Sequence, residues 1–147
     1  MTARFSRPVN ILLVEDNDAD VRMFTEALKD WGDAVVLHHV DDGAKAMSFL
    51  RNKAPFADKP RADLVFLDLN LPCMSGEEVL SEIKSEPGLH RIPVVVLTVS
   101  ESEHDVQRSY DLHANSYVTK PSDPDRFFRV LDRTVDFWLR ASHLPDA

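Results

Sequence analysis

The chain has 147 residues, 44 % of them apolar and 29 % charged, with a formal net charge of -8 and a single cysteine, Cys73. That length suits one domain with its own core, while the negative charge argues against non-specific nucleic-acid binding, which needs clustered Lys and Arg, and against an anionic membrane surface. No apolar run approaches the ~20 residues of a membrane span, Met1–Phe5 leads into no apolar signal segment, and one cysteine cannot close an internal disulfide, so a cytoplasmic location is expected.

Strand-like and helix-like segments alternate along the chain. Asn10–Val14, β-branched and Leu after Asn10, is the kind of run expected of a strand buried on both faces of a parallel sheet. Asp18 or a neighbour then caps a helix whose apolar residues Val21, Phe24, Leu28 and Trp31 share one face and stop at Gly32. Val35–Val40 reads as the second strand, and Asp42-Gly43 turns the chain into a helix carrying Ala46, Met47 and Leu50. Arg51–Arg61, with Pro55, Pro60 and four basic residues, has no period and reads as a loop. Leu64–Leu67 is the third strand. Ser75 or Gly76 opens a helix with Val79, Leu80 and Ile83 inward, ended by Pro87-Gly88. Ile92–Thr98, Glu103–Leu112 and Ser116–Thr119 follow as strand, helix and strand. Asp123–Ser142 is a long last helix with Pro124 suited to its first turn.

Five β-α units in a row predict a parallel sheet covered by helices on both faces, with right-handed crossovers. In such sheets ligands bind outside the carboxyl ends of the strands. Those ends carry the chemistry here. The first strand delivers Glu15 and Asp16, the third Asp68, the fourth Thr98 and the fifth Lys120, whereas the second delivers only the turn Asp41-Asp42-Gly43.

Glu15 and Asp16 could simply favour a helix start. With Asp68 they could instead form a divalent-cation site, because three carboxylates brought together repel unless a cation is present. Magnesium suits such hard oxygen donors, and no His or Cys cluster has zinc spacing. Asp68 ends a wholly apolar run, where a carboxylate must meet solvent, a metal or hydrogen bonds; held near a cation it could also attack phosphorus. Thr98 could be only a β-branched strand residue, or its hydroxyl could donate to a phosphoryl oxygen. Lys120 could be a surface lysine. Alternatively, Lys120-Pro121 fixes an ammonium in a tight turn, a cis peptide being one option, as a point charge for phosphate.

Four segments resemble the receiver domain of two-component response regulators: Leu13-Val14-Glu15-Asp16-Asn17, Leu67–Gly76, Val96-Leu97-Thr98 and Tyr117–Pro121. Their order and spacing match the family over essentially the whole chain, and the resemblance brings with it the flavodoxin-like, doubly wound strand order 2-1-3-4-5 with five helices, the last one extended. It implies a single receiver domain over residues 1–147, with a core of about 8–140 and a tail from 141. It also implies that Asp68 is the phosphoacceptor, that Asp16, Asp68 and the Asn70 backbone carbonyl hold Mg2+ with Glu15 reaching it through water, and that Thr98 and Lys120 contact the phosphoryl group. Tyr117 matches the family's switch aromatic, although a strand Tyr can equally be packing. The partner so implied is a sensor histidine kinase, the output a changed surface at the fourth helix, fifth strand and fifth helix, and the protein a signalling module rather than an enzyme. A phosphorylation-independent pseudo-receiver and a magnesium phosphohydrolase are the rival readings. The intact Asp16, Asp68, Thr98 and Lys120 speak against the first; Asn70 two residues after Asp68, with no cap-sized insertion, speaks against the second.

Two positions depart from the common pattern. The acidic pair is Glu15-Asp16 where many members have Asp-Asp, and Val99 follows Thr98 where a small residue is common, so its bulk is expected to slow phosphoryl hydrolysis. The last helix carries Phe127, Phe128, Val130, Leu131, Val135, Phe137, Trp138 and Leu139, more than one apolar stripe needs. The surplus implies either a second apolar contact or a tail folded back over the helix. Together with Leu144-Pro145 and the basic loop, this ending is similar to that of stand-alone regulators paired with bacterial phytochrome kinases, which pair as homodimers through this face. No DNA-binding segment is evident, and Cys73 reads as an incidental loop residue.

Overall fold

The computed structural model describes residues 7–146; the reading of Met1–Phe5 lies outside the described residues. Five strands, β1 (Val9–Val14), β2 (Val35–Val40), β3 (Leu64–Leu67), β4 (Val94–Thr98) and β5 (Ser116–Thr119), form one sheet in the order β2-β1-β3-β4-β5. Every neighbouring pair is parallel, with Val14 opposite both Val40 and Leu67 and Leu67 opposite Val96. The helices are α1 (Asp18–Ala27), α2 (Gly43–Leu50), α3 (Gly76–Ser85), α4 (Glu103–Asp111) and α5 (Pro124–Asp136). The doubly wound fold and strand order are as expected.

The period-two geometry of a strand divides the core into two layers. Leu12, Val14, Val65, Leu67, Val94 and Val96 pack on one side against Met47 and Phe49 of α2 and Val79, Leu80 and Ile83 of α3. Ile11, Leu13, Leu64, Phe66, Val95 and Leu97 pack on the other against Phe24 of α1 and Phe127, Leu131 and Val135 of α5. Apart from Asn10 in β1 and Thr98 at the end of β4, the inner strands are therefore apolar, which is why they read as runs and not as alternations.

Element ends differ from the expected ones for local reasons. The cap expected at Asp18 or a neighbour is Asn17, its side chain accepting the Asp20 N–H at 3.0 Å. The helix stops at Ala27, and Lys29–Ala34 is wound more tightly, with Trp31 N–H bonded to Leu28 O at 3.0 Å and Gly32 at φ 53°. A left-handed φ is readily available only to glycine, so the helix cannot run on past it. α3 ends at Ser85 because Pro87 pushes Glu86 into extended geometry (φ −96°, ψ 120°). α5 ends at Asp136 and passes into a wider π-helical turn, Phe137–Ala141.

Arg51–Arg61 is a loop, but a folded one. The Asn52 side-chain amide donates to Phe56 O at 3.4 Å and Lys59 O at 2.7 Å, and Phe56 packs on Phe49 with ring centroids 5.6 Å apart. The cis peptide among the described residues is Ala54–Pro55, not Lys120–Pro121. On α5 and the π-helical turn after it, Phe127, Leu131, Val135 and Leu139 are buried, while Phe128 and Phe137 remain 38 % and 53 % exposed. Leu144 packs against the α1/α5 core layer, so the tail does cover part of the apolar surplus.

At the amino end of the sheet Asp63 is buried, yet fully partnered. Arg7 reaches both its oxygens at 2.8 Å, and the Asn10 N–H donates to Oδ2 at 2.8 Å. Removing the carboxylate orphans the Asn10 amide and the guanidinium together. Asp63→Ala is expected to cost about 2–3 kcal/mol, read as a lowered urea midpoint with unchanged slope.

Candidate functional site

The site is built on the last rungs of the sheet ladder. One residue past each strand, the backbone still bonds to the neighbouring strand: Glu15 N–H to Val40 O at 3.0 Å, Asp68 N–H to Val14 O at 3.1 Å and Lys120 N–H to Thr98 O at 2.7 Å. Sheet hydrogen bonds thus fix the backbones from which the functional side chains project. Thr98 ends β4, the strand between those that carry Asp68 and Lys120.

Gly76 makes the other wall possible. A Cβ there would lie 2.2 Å from the Asp68 carbonyl oxygen, so only glycine lets α3 start this close to the end of β3. Gly76 N–H bonds to Leu69 O at 3.0 Å, closing the loop, and Asn70 N–H donates to Asp68 Oδ1 at 3.1 Å.

Lys120 Nζ stands at the centre, with its side chain only 4 % exposed. It donates to Glu15 Oε1, to Asp20 Oδ2 at 2.8 Å and to Asp68 Oδ2 at 3.0 Å. Glu15 also accepts the Asn17 N–H at 3.2 Å, and its carbonyl lies 2.7 Å from His39 Nε2. Burial raises the Glu15 pKa to about 7, the hydrogen bond from Lys120 opposing this and the neighbouring Asp68 charge adding to it. For Lys120, burial works against the charge, but hydrogen bonds to Asp20 and Glu15 outweigh it and hold the pKa above the ordinary lysine range.

Of the residues expected here, Glu15, Asp68, Thr98 and Lys120 are buried, Tyr117 is half-buried, and Asp16 and Asn70 are exposed. Carboxylate oxygens of Glu15, Asp16 and Asp68 all lie within 4.8 Å of one another. Three hard oxygen donors that repel in the absence of positive charge fit a divalent cation. Thr98 Oγ1 accepts the Ser100 N–H at 3.4 Å, and the Tyr117 hydroxyl donates to Ser100 O at 2.9 Å. Ser100 therefore joins Thr98 to Tyr117 through one residue's backbone. Asp20 is a site member that no sequence motif points to. Its place three residues after Asn17, in the first turn of α1, is the available signal, but using it requires knowing where α1 begins.

The family profile for the response regulator receiver domain matches residues 11–132. The chain belongs to that family. This receiver is 45 % identical to the response regulator Rcp1 of Synechocystis sp. over 147 residues, all of both chains. It superposes on the crystal structure of the phosphorylated cyanobacterial phytochrome response regulator RcpA with a TM-score of 0.92 and 46 % identity, over 95 % of this chain and 99 % of that one. The Mn(2+)-bound form of Rcp1 gives the same score and identity, over 95 % and 100 %. Among the described residues no helix is long and apolar enough to cross a membrane.

Because Glu15 holds a proton up to about pH 7, a cation entering the receiver site at lower pH must displace it. Apparent Mg2+ affinity is expected to tighten about tenfold between roughly pH 6 and pH 8. Glu15→Gln removes that dependence, as isothermal titration at the two pH values checks.

Proposed function

We propose that this receiver accepts a phosphoryl group on Asp68 from the phosphohistidine of a sensor histidine kinase and signals through altered protein contacts. The observation that carries the reading is the Lys120 ammonium 3.0 Å from Asp68 Oδ2, at buried strand ends, beside a carboxylate trio suited to a divalent cation. In the transfer an Asp68 oxygen attacks phosphorus. The bond from phosphorus to the imidazole nitrogen breaks, and that nitrogen keeps the electron pair and takes up a proton.

Asp16, Asp68 and the Asn70 carbonyl would hold Mg2+, with Glu15 reaching it through water. When bound, it supplies positive charge that offsets repulsion between carboxylates and phosphoryl oxygens. The Asn70 N–H bond to Asp68 Oδ1 leaves Oδ2, the oxygen facing Lys120, as the attacking atom. Lys120 neutralises the charge that arrives, and the Thr98 hydroxyl donates to a phosphoryl oxygen. Redirecting that hydroxyl tugs on Ser100 and so on Tyr117, which couples the site to β5.

The output face is α4, β5 and α5. Tyr110 on α4 is 49 % exposed and Phe128 on α5 38 %, which supports a homodimer through this face. Full-length likeness to Rcp1 supports a bacterial phytochrome as the kinase. The protein then acts in the cytoplasm as a signalling module and not as an enzyme that turns over substrate.

Incubation with acetyl phosphate and Mg2+ tests the reading by intact mass. The wild type is expected to gain one hydroxylamine-labile phosphoryl group and Asp68→Asn none. An adduct that survives Asp68→Asn contradicts the assignment. Val99, 66 % exposed next to Thr98, is expected to shield the adduct, so Val99→Ala shortens its half-life in the same assay.

A further inference from the structure

An ammonium has three hydrogens, and three carboxylates take those of Lys120: Glu15, Asp20 at 2.8 Å and Asp68 at 3.0 Å. So filled, Lys120 cannot also donate to a phosphoryl oxygen. One carboxylate has to let go.

The three are not equivalent. Glu15 has a side chain 2 % exposed and a backbone held in the ladder to Val40, so water cannot replace the lysine for it. Asp68 bears the arriving group itself. Asp20 is 23 % exposed and stands in the first turn of α1, where water can solvate a released carboxylate and the helix amino end favours its charge. Its position is set locally. Asn17 caps the helix by accepting the Asp20 N–H at 3.0 Å, which fixes Asp20 at the third helical position, where its side chain meets the lysine.

We propose that Asp20 is a positioning residue that holds Lys120 in the unphosphorylated state and competes with the incoming phosphoryl group for it. The proposal rests on the reading of Asp68 as acceptor. Its consequence is a receiver biased toward the unphosphorylated form by a residue outside the four sequence motifs. Removing the Asp20 charge weakens its hold on one lysine donor and takes away one negative charge near the phosphoryl oxygens. Both effects favour the adduct.

The test uses the full chain, saturating Mg2+, fixed salt and acetyl phosphate as donor. An Asp68 oxygen attacks phosphorus, the bond from phosphorus to the acetate oxygen breaks, and acetate leaves with that electron pair. Asp20→Asn is expected to raise the rate of adduct formation about fivefold, and Asp20→Glu to return it to the wild-type value. Asp18→Asn removes the same charge from the same helical turn without a contact to Lys120, and is expected to leave the rate unchanged. Asp20→Ser repeats the measurement should Asp20→Asn fold poorly. An unchanged or slower rate in Asp20→Asn and Asp20→Ser overturns the proposal, as does an equal gain in Asp18→Asn. A wild type that takes up no phosphoryl group, or Asp68→Asn that still does, overturns the acceptor reading and this proposal with it. Normal wild-type uptake with no Asp20 effect overturns this proposal alone.

Discussion

At the carboxyl edge of the sheet, one ammonium group is asked to satisfy three carboxylates while a fourth, Asp16, stands beside them. Lys120 cannot balance that charge, and Glu15 and Asp68 are buried too deeply for water to do so. The imbalance is tolerable because each charged group is anchored by sheet or loop hydrogen bonds, and because Glu15 can keep a proton near neutrality. The same imbalance is what makes the site receptive to a cation. A balanced cluster would have no use for Mg2+; this one gains from it.

The fold serves this arrangement by making its scaffold insensitive to it. Both core layers are apolar throughout, and the ladder bonds of Glu15, Asp68 and Lys120 hold their backbones whatever the charge state of the side chains. Change is left to the parts with weaker ties. Ser109 is the one fully buried residue of α4, its hydroxyl is unpartnered among the described residues, and the β4–α4 loop is held largely through Ser100. A helix attached through a serine and a few half-buried neighbours costs less to shift than α3, which buries Val79, Leu80 and Ile83.

Much of this architecture is legible in the order of the residues. The apolar runs mark β1, β3 and β4 because inner parallel strands need apolar side chains on both faces, and the residues ending β1, β3, β4 and β5 name Glu15, Asp68, Thr98 and Lys120 as one site. What stays hidden depends on phase and on three-dimensional proximity. Asp20 can be placed only once Asn17 is known to cap α1. The π-helical turn at Phe137 leaves no mark in a pattern of apolar residues, and the order of the 51–61 loop comes from one asparagine amide and a Phe49–Phe56 contact that no periodicity reports. The split of the α5 surplus between tail contact and exposed surface likewise depends on where Leu144 lands.

The central claim is that Lys120 holds the acidic cluster together as a charge and not merely as a packed side chain. Urea denaturation of Lys120→Gln against the wild type, without metal, at about pH 5.5 and about pH 8 tests it most directly. The stability lost to the substitution is expected to be clearly larger at the higher pH, where Glu15 must ionise beside Asp20 and Asp68 with no cation among them. An equal loss at both pH values would contradict the account.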